Sequence, residues 1–216
     1  MDMVANNIIS INVGMPLNLE CKEGLLLTGI YKQEVNKEIF LAKENFEGDG
    51  QADLIHHGGV DKAVCVYSYN HYTFWKDKLQ RPLSHGAFGE NLTVEDLTEN
   101  VVCIGDTYEL GDAVVQVTQP RQPCHKLAKR YNESQLPLWV QNTGFTGYYY
   151  RVLQEGKVTK DRPITLVEKH SKSITVSFAN QIMYHDKKNM DGIKRILEVD
   201  ELSFNWRTAL MKRLEG

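Results

Sequence analysis

The 216-residue chain has no apolar run long enough to span a membrane. Its N-terminus, Met1-Asp2-Met3-Val4-Ala5-Asn6-Asn7, has no basic segment followed by an apolar one. A membrane helix or a secretory signal needs such runs, so neither is expected. Positive charge is not in surplus, the formal net charge being -3. That removes the electrostatic case for nucleic acid as a main partner and confines any basic site to a local patch. Cysteine is sparse: Cys21, Cys65, Cys103 and Cys124 lie far apart, with no C-x-x-C pair and no H-E-x-x-H. A zinc ribbon and a thioredoxin-like redox motif are therefore disfavoured. The G-x-x-x-x-G-K-[ST] loop of a nucleotide triphosphatase is missing. So are flavin, haem and iron–sulfur motifs, and any electrons must come from another protein. With no export signal, the thiols are expected to be reduced and the protein cytoplasmic.

What is there reads as a soluble globular chain, 42% hydrophobic and 25% charged. Up to about Lys169 it is mostly short strands with regular turn signals. These are Ile8–Val13, Gly24–Tyr31, Glu38–Lys43, Ala63–Tyr67, Thr107–Leu110, Ala113–Gln119, Gly147–Leu153, Lys157–Thr159 and Ile164–Glu168. Helices are expected over Asn70–Leu79, His125–Tyr131 and from Pro137 to Gly144. The pattern predicts a mainly β fold, a barrel or sandwich with a few helices. After His170 the strands stop. Ser173 or Thr175, Asn189 and Ser203 can cap three amphipathic helices. The expected division is residues 1–170 as the β domain and 171–216 as a three-helix unit.

One loop stands out: Gln119-Pro120-Arg121-Gln122-Pro123-Cys124-His125-Lys126-Leu127. Two prolines end a valine-rich strand, and Cys124 falls where a helix begins. Free backbone N–H groups at a helix start favour negative charge. Arg121, His125 and Lys126 add cations, so this thiol should ionise more easily than a free one, with its pKa of roughly 8.5. A thiolate is both nucleophile and soft metal ligand. Cys65 and Cys103 lie inside apolar runs and are expected in the core. A second stretch, His56-His57-Gly58-Gly59-Val60-Asp61-Lys62, offers two glycines and a cation to an anion. By itself the signal is weak, and a plain turn is the preferred reading of the two glycines. Phe88-Gly89-Glu90-Asn91-Leu92 reads as a turn into a strand, and Gln141-Asn142-Thr143-Gly144 as a helix end.

Taken together and in order, these motifs resemble the MOSC domain, named for the C-terminal domain of molybdenum-cofactor sulfurase. The residues carrying the resemblance are Phe46-Glu47-Gly48-Asp49, His57-Gly58-Gly59-x-Asp61-Lys62-Ala63, Phe88-Gly89-Glu90-Asn91-Leu92, Gly105-Asp106, Gln119-Pro120-Arg121-x-Pro123-Cys124-x-Lys126-Leu127 and Gln141-Asn142-Thr143-Gly144. They are similar to the bacterial stand-alone branch associated with resistance to N-hydroxylated purines, whose members often end in three helices. The resemblance implies a MOSC β-barrel, like the barrel domain of pyruvate kinase. It also implies binding of the molybdenum cofactor, the pyranopterin molybdopterin with its metal, with Cys124 as ligand to molybdenum or carrier of sulfur. The implied activity is reduction of small N-hydroxylated compounds with electrons from a separate reductase. On that reading Cys124, His57 and Asp61 are catalytic. His57 or Asp61 would move a proton, His57 first because its ordinary pKa is near ~6.5, although it could equally shape the loop. Lys32, His57, Gly58, Gly59, Lys62, Gly89, Glu90, Asn91, Arg121, Lys126 and Asn142 would hold the cofactor. A sulfur carrier using a Cys124 persulfide and a non-catalytic cofactor-binding module are the rivals. A Cys–His hydrolase pairing Cys124 with His57 or His125 is a lesser one, as no local protease signature is present. The oligomeric state is left open, a homodimer included.

Overall fold

The computed structural model describes residues 5–21, 24–53 and 58–215. His57 lies outside the described residues. Strand β1 (Ala5–Asn6) runs through Asn7 into β2 (Ile8–Val13), followed by a hairpin of β3 (Leu17–Cys21) and β4 (Gly24–Thr28). Short β5 (Gln33–Glu34) and β6 (Ile39–Leu41) precede β7 (Val64–Ser68), α1 (Tyr72–Leu79) and β8 (Leu92–Val94). Next come β9 (Thr107–Leu110), β10 (Ala113–Pro120), α2 (His125–Tyr131) and α3 (Leu136–Thr143). Strands β11 (Tyr148–Gln154), β12 (Gly156–Val158) and β13 (Ile164–Glu168) end the β part, before α4 (Val176–Asn180), α5 (Met190–Leu197) and α6 (Phe204–Leu214).

The main sheet is nine-stranded, in the order β1-β13-β9-β10-β11-β7-β8-β2-β5. Strands β1 and β2 stand towards opposite ends of that order, yet only Asn7 separates them. One residue reaches at most about 3.6 Å. The sheet must therefore curl until its ends meet, which makes the β-barrel that the strand pattern predicts. Strand β7 runs parallel to β8 and antiparallel to β11.

Alternation along the strands decides what fills the barrel and what faces out. Val64 and Val66 of β7, Val115 and Val117 of β10, and Tyr148 and Tyr150 of β11 belong to the interior cluster. Cys65, Tyr67 and Tyr149 point the other way. Tyr67 packs outside with Trp75, Phe88, Leu127, Tyr131 and Val140, in a second cluster that seats α1, α2 and α3 on the wall.

Strands β1, β3 and β5 have no counterpart in the sequence expectation, and two further elements differ in extent. The strand begun at Gly24 ends at Thr28 rather than Tyr31, because its partner β3 begins at Leu17, opposite Thr28. Gly29 to Tyr31 are left without a ladder and turn away. The first C-terminal helix is α-helical only to Asn180, then widens into a π turn over Gln181–His185. The three caps are Thr175, Asn189 and Ser203, each accepting a hydrogen bond from a backbone N–H in its helix's first turn. Their helices enclose a separate cluster of Ile182, Ile193, Ile196, Trp206 and Leu210, into which the barrel contributes Ile104. Val176 reciprocates by packing in the barrel cluster. Among the described residues, no helix is long and apolar enough to cross a membrane.

Candidate functional site

Strand β10 stays paired to its last residue, Pro120, opposite Tyr148. Arg121 then donates its N–H to the Gly147 carbonyl (3.0 Å), and the chain leaves the sheet. Cys124 is the cap residue of α2, extended at φ -123° and ψ 168°. Its thiol makes no capping bond. What fixes the loop is the helix behind it. Leu127 and Tyr131 are buried, Tyr131 donates to the Ala87 carbonyl (2.8 Å), and Arg130 Nη1 donates to the carbonyls of Ile30 (2.6 Å) and Gly86 (2.8 Å).

Cys124 lines a cleft against the outer wall of the barrel, about 560 Å³ including open solvent. One side is Gly29, Ile30 and Lys32 after β4; another is Asp49 to Ala52 after β6. The floor is Cys65 and Tyr149, cross-strand neighbours in register on β7 and β11. Lys62, Gly89, Asn91, Arg121 and Lys126 complete it. Thus Lys32, Lys62, Arg121 and Lys126 face a single carboxylate, Asp49, in a chain whose net charge is negative. The cleft is a local electropositive patch and favours an anionic ligand.

These cations are not equivalent. Lys32 is in an ion pair with Asp49, both side chains nearly inaccessible, so much of its charge is already answered. Asp49 also accepts from Gly14 N–H (2.9 Å) and Asn91 Nδ2 (2.8 Å). Arg121 is buried and donates Nη2 to the Phe88 carbonyl (2.6 Å). Burial lowers the pKa of Lys62, against the pull of Asp61 and Asp53. Burial pushes the Cys65 thiol up to about 11, so it stays protonated at neutral pH.

Beyond Cys124 the cleft opens into a larger chamber, about 1750 Å³ including open solvent. It shares Lys62, Cys124 and Tyr149 with the first cleft. Its remaining walls are Asp53, the loop residues Gln119, Gln122, Pro123 and His125, and Phe204, Asn205, Thr208, Ala209 and Lys212 of α6.

Of the residues singled out from sequence, Cys124, Lys32, Lys62, Gly89, Asn91, Arg121 and Lys126 converge on the cleft. Gly89, at φ 79°, has Ile30 pressed against it; an added Cβ would lie 2.9 Å from Ile30 Cγ1. Asn91 is spent internally, accepting from Cys65 N–H (3.0 Å) and donating to Asp49 and the Asn12 carbonyl (3.2 Å).

Five of the residues singled out from sequence lie away from the cleft lining. The Asp61 carboxylate is no cleft wall: it pairs with Arg151 Nη2 (2.7 Å) and accepts from Phe204 N–H (3.1 Å), tying the barrel to the start of α6. Glu90 is fully buried beneath the Gly86–Gly89 turn, accepting from Gly86 N–H (3.1 Å), Phe88 N–H (2.9 Å), Thr93 Oγ1 (3.1 Å) and the Tyr72 hydroxyl. Asn142 is exposed on α3, whose left-handed end is Gly144 at φ 72°. Gly58 and Gly59 border neither chamber; Gly59 precedes the 3-10 turn Val60–Lys62. Cys65 is buried, as expected, and also borders the cleft. Its signal was available, because Val64 and Val66 claim the interior and leave Cys65 facing outward. Tyr149 follows by the same alternation. Asp49 lay inside a quoted motif with no role given to it, and the walls from α6 had no sequence signal near Cys124.

The MOSC domain profile matches residues 53–165, and that of the YiiM-like, 3-alpha helix domain matches residues 174–216. The protein YflK of Bacillus subtilis (strain 168) is 53% identical over 207 residues, which are 96% of this chain and 94% of YflK. The crystal structure of YiiM from Geobacillus stearothermophilus superposes with a TM-score of 0.83 at 40% identity, covering 97% of this chain and 99% of that one. A protein named Reductase from Gibberella moniliformis (strain M3125 / FGSC 7600) is 36% identical over 150 residues, 68% of this chain but 27% of its own length. The chain therefore belongs to the MOSC domain family, in the YiiM-like group that ends in a three-helix unit.

Proposed function

We propose that the cleft holds the molybdenum cofactor through Cys124, and that the protein reduces N-hydroxylated compounds, hydroxylaminopurines among them, with electrons from a separate reductase. The observation carrying this reading is the position of Cys124, at the junction of a cationic cleft and a wider chamber.

The residues present fit the group. The cleft gathers Lys62, Arg121 and Lys126 around Cys124, cations and a thiol that suit an anionic, metal-bearing group. Arg121, Lys62 and Lys126 suit the phosphate of the pterin. Among the described residues no three His, Cys, Asp or Glu side chains converge as a metal cage. Cys124 would hold the metal through its soft thiolate, beside the dithiolene of the pterin. When bound, the cofactor supplies the two-electron chemistry of N–O cleavage.

The reaction balances as R–NHOH plus two electrons and two protons giving R–NH₂ and water. The N–O bond breaks, an N–H bond forms, and both electrons come from the reductase. A fungal relative named Reductase, matched over 27% of its own length, supports this redox reading. The chain's own task is binding and proton supply. Lys62 borders both chambers, and its lowered pKa makes its ammonium a readier proton donor to the leaving oxygen than a surface lysine. His57 is the second candidate, for its ordinary pKa near ~6.5. Arg121, fixed by the Phe88 carbonyl, holds its charge in place as the substrate changes.

The test is elemental analysis of natively expressed protein together with hydroxylaminopurine reduction in the presence of a reductase. Wild type should retain molybdenum and turn over. Cys124→Ser should keep its fold and lose both. Metal-free protein carrying a cyanolysable sulfur would point to persulfide transfer instead. Full activity in Cys124→Ser would end the reading.

A further inference from the structure

The C-terminal helices look from sequence like an appendage. The structure gives α6 two working faces. Trp206 and Leu210 turn inward to the helical core, with Trp206 only 1% exposed. Phe204, Thr208 and Lys212 recur at the same spacing of four, offset by two positions, and line the chamber beside Cys124. Residues four apart share one side of a helix, so this second stripe is continuous. Phe204 is 74% exposed. A lone exposed aromatic carries no meaning, but this one stands in a chamber wall that also contains the site cysteine.

The wall is also held in place. Ser203 donates its N–H to the Thr118 carbonyl (3.1 Å), and Thr118 Oγ1 in turn donates to the Asp61 carbonyl (2.6 Å). The Asp61 carboxylate receives Phe204 N–H, while Arg151 bridges Asp61 and the Glu201 carbonyl (2.9 Å). Three residues of the barrel and its rim, Thr118, Asp61 and Arg151, thus pin the start of α6 beside the Cys124 loop. A helix serving only to cover the barrel has no need of this clamp at its chamber end.

We propose that α6 is the substrate-selecting wall of the site. The chamber between it and the Cys124 loop admits a flat, aromatic N-hydroxylated ring, with the Phe204 ring offering a stacking face and Thr208 a hydroxyl to the ring's polar edge. Asp61 and Arg151 are positioning residues that act through α6. Base-on-aromatic stacking tolerates any flat ring, so this wall selects for planarity and size, whereas the cationic cleft selects the cofactor. The proposal rests on the cofactor reading for which compounds matter, but the wall can be tested without it.

The experiment titrates full-length, natively expressed protein with two probes, 6-hydroxylaminopurine and the small non-aromatic N-hydroxyurea, by calorimetry. Molybdenum is measured on the same samples. Phe204→Ala should weaken binding of the purine about tenfold, the loss of one stacking face, and leave N-hydroxyurea unchanged. Ala209→Phe, which fills the chamber from α6, should exclude the purine and spare the smaller probe. In turnover, Phe204→Ala should raise KM for the purine with kcat little changed. Both variants should carry the wild-type molybdenum content, since neither residue borders the cationic cleft. Equal purine affinity in wild type and both variants, or no purine binding by wild type, overturns the wall whether or not the protein holds molybdenum. Absence of molybdenum from wild type with the binding pattern intact counts against the cofactor reading alone.

Discussion

Replacing Glu90 by Gln separates a structural from a ligand-binding role for that carboxylate. Glu90 is fully buried and answers four donors: Gly86 N–H and Phe88 N–H from the turn, Thr93 Oγ1 from β8 and the Tyr72 hydroxyl from α1. Glutamine keeps one acceptor oxygen and turns an NH₂ toward the rest. If that oxygen takes the place of Oε1, the Phe88 N–H is left facing another donor. An unanswered buried donor costs about 1–3 kcal/mol, and the three remaining bonds fall from charge-assisted to neutral strength, roughly half. Removing a buried charge gives some of this back. A net loss of about 3 kcal/mol follows, out of the roughly 5–15 kcal/mol typical of a folded domain. With a urea slope of about 2 kcal/mol per M, the unfolding midpoint should fall by roughly 1.5 M. The Phe88 carbonyl receives Arg121, and the Gly86 and Ala87 carbonyls receive Arg130 and Tyr131, so the same change should loosen α2. Protein that is still folded, at low denaturant, should keep most of its molybdenum. Unchanged stability combined with lost cofactor would refute this reasoning and return Glu90 to the ligand.

Other outcomes follow from the same contacts. Asp61→Asn should weaken the Arg151 pair and the bond from Phe204 N–H, lower stability by about 1–3 kcal/mol and raise KM more than it lowers kcat; a pure kcat loss at normal stability would make Asp61 a catalytic group. Lys62→Ala should lower molybdenum retention with the melting temperature little moved, and unchanged metal content would return the Gly58–Lys62 segment to a plain turn. In cofactor-free protein iodoacetamide should label Cys124 first. Cys65 labelling should stay negligible at pH 8 and climb only as the pH nears its raised pKa of about 11, since the thiolate reacts; mass-spectrometric mapping of the labelled peptides reads both. Deleting 171–216 should uncover Ile104 and remove Val176 from the barrel cluster, lowering solubility, and a fully soluble barrel with unchanged melting would contradict that packing.

Much of this protein is legible in its residue order because much of it is local. Runs rich in β-branched residues such as Ile8–Val13 and Ile164–Glu168 form strands with those bounds, since their stiff side chains favour the extended backbone. Asn189 and Ser203 start their helices because a side-chain oxygen meets an N–H three residues on. The strand–Pro–Cys–helix signal placed Cys124 at the start of α2, and the ordered motifs named the family. What the order could not settle is direction and distance between segments far apart in the chain. Glu90 and Asn91 are adjacent, yet one lies beneath its turn and the other at the cleft, because the chain alternates sides there. Asp61 sits beside Lys62, but barrel closure brings it to Arg151 and Phe204, 90 and 143 positions away. Cys124 and α6 share a chamber only because the helical unit folds back onto the barrel. Local propensity and alternation act over a few residues and can be read along the chain. Side-chain partners across the fold are chosen by how the sheet curls and where the helices dock, and only the folded structure holds that choice.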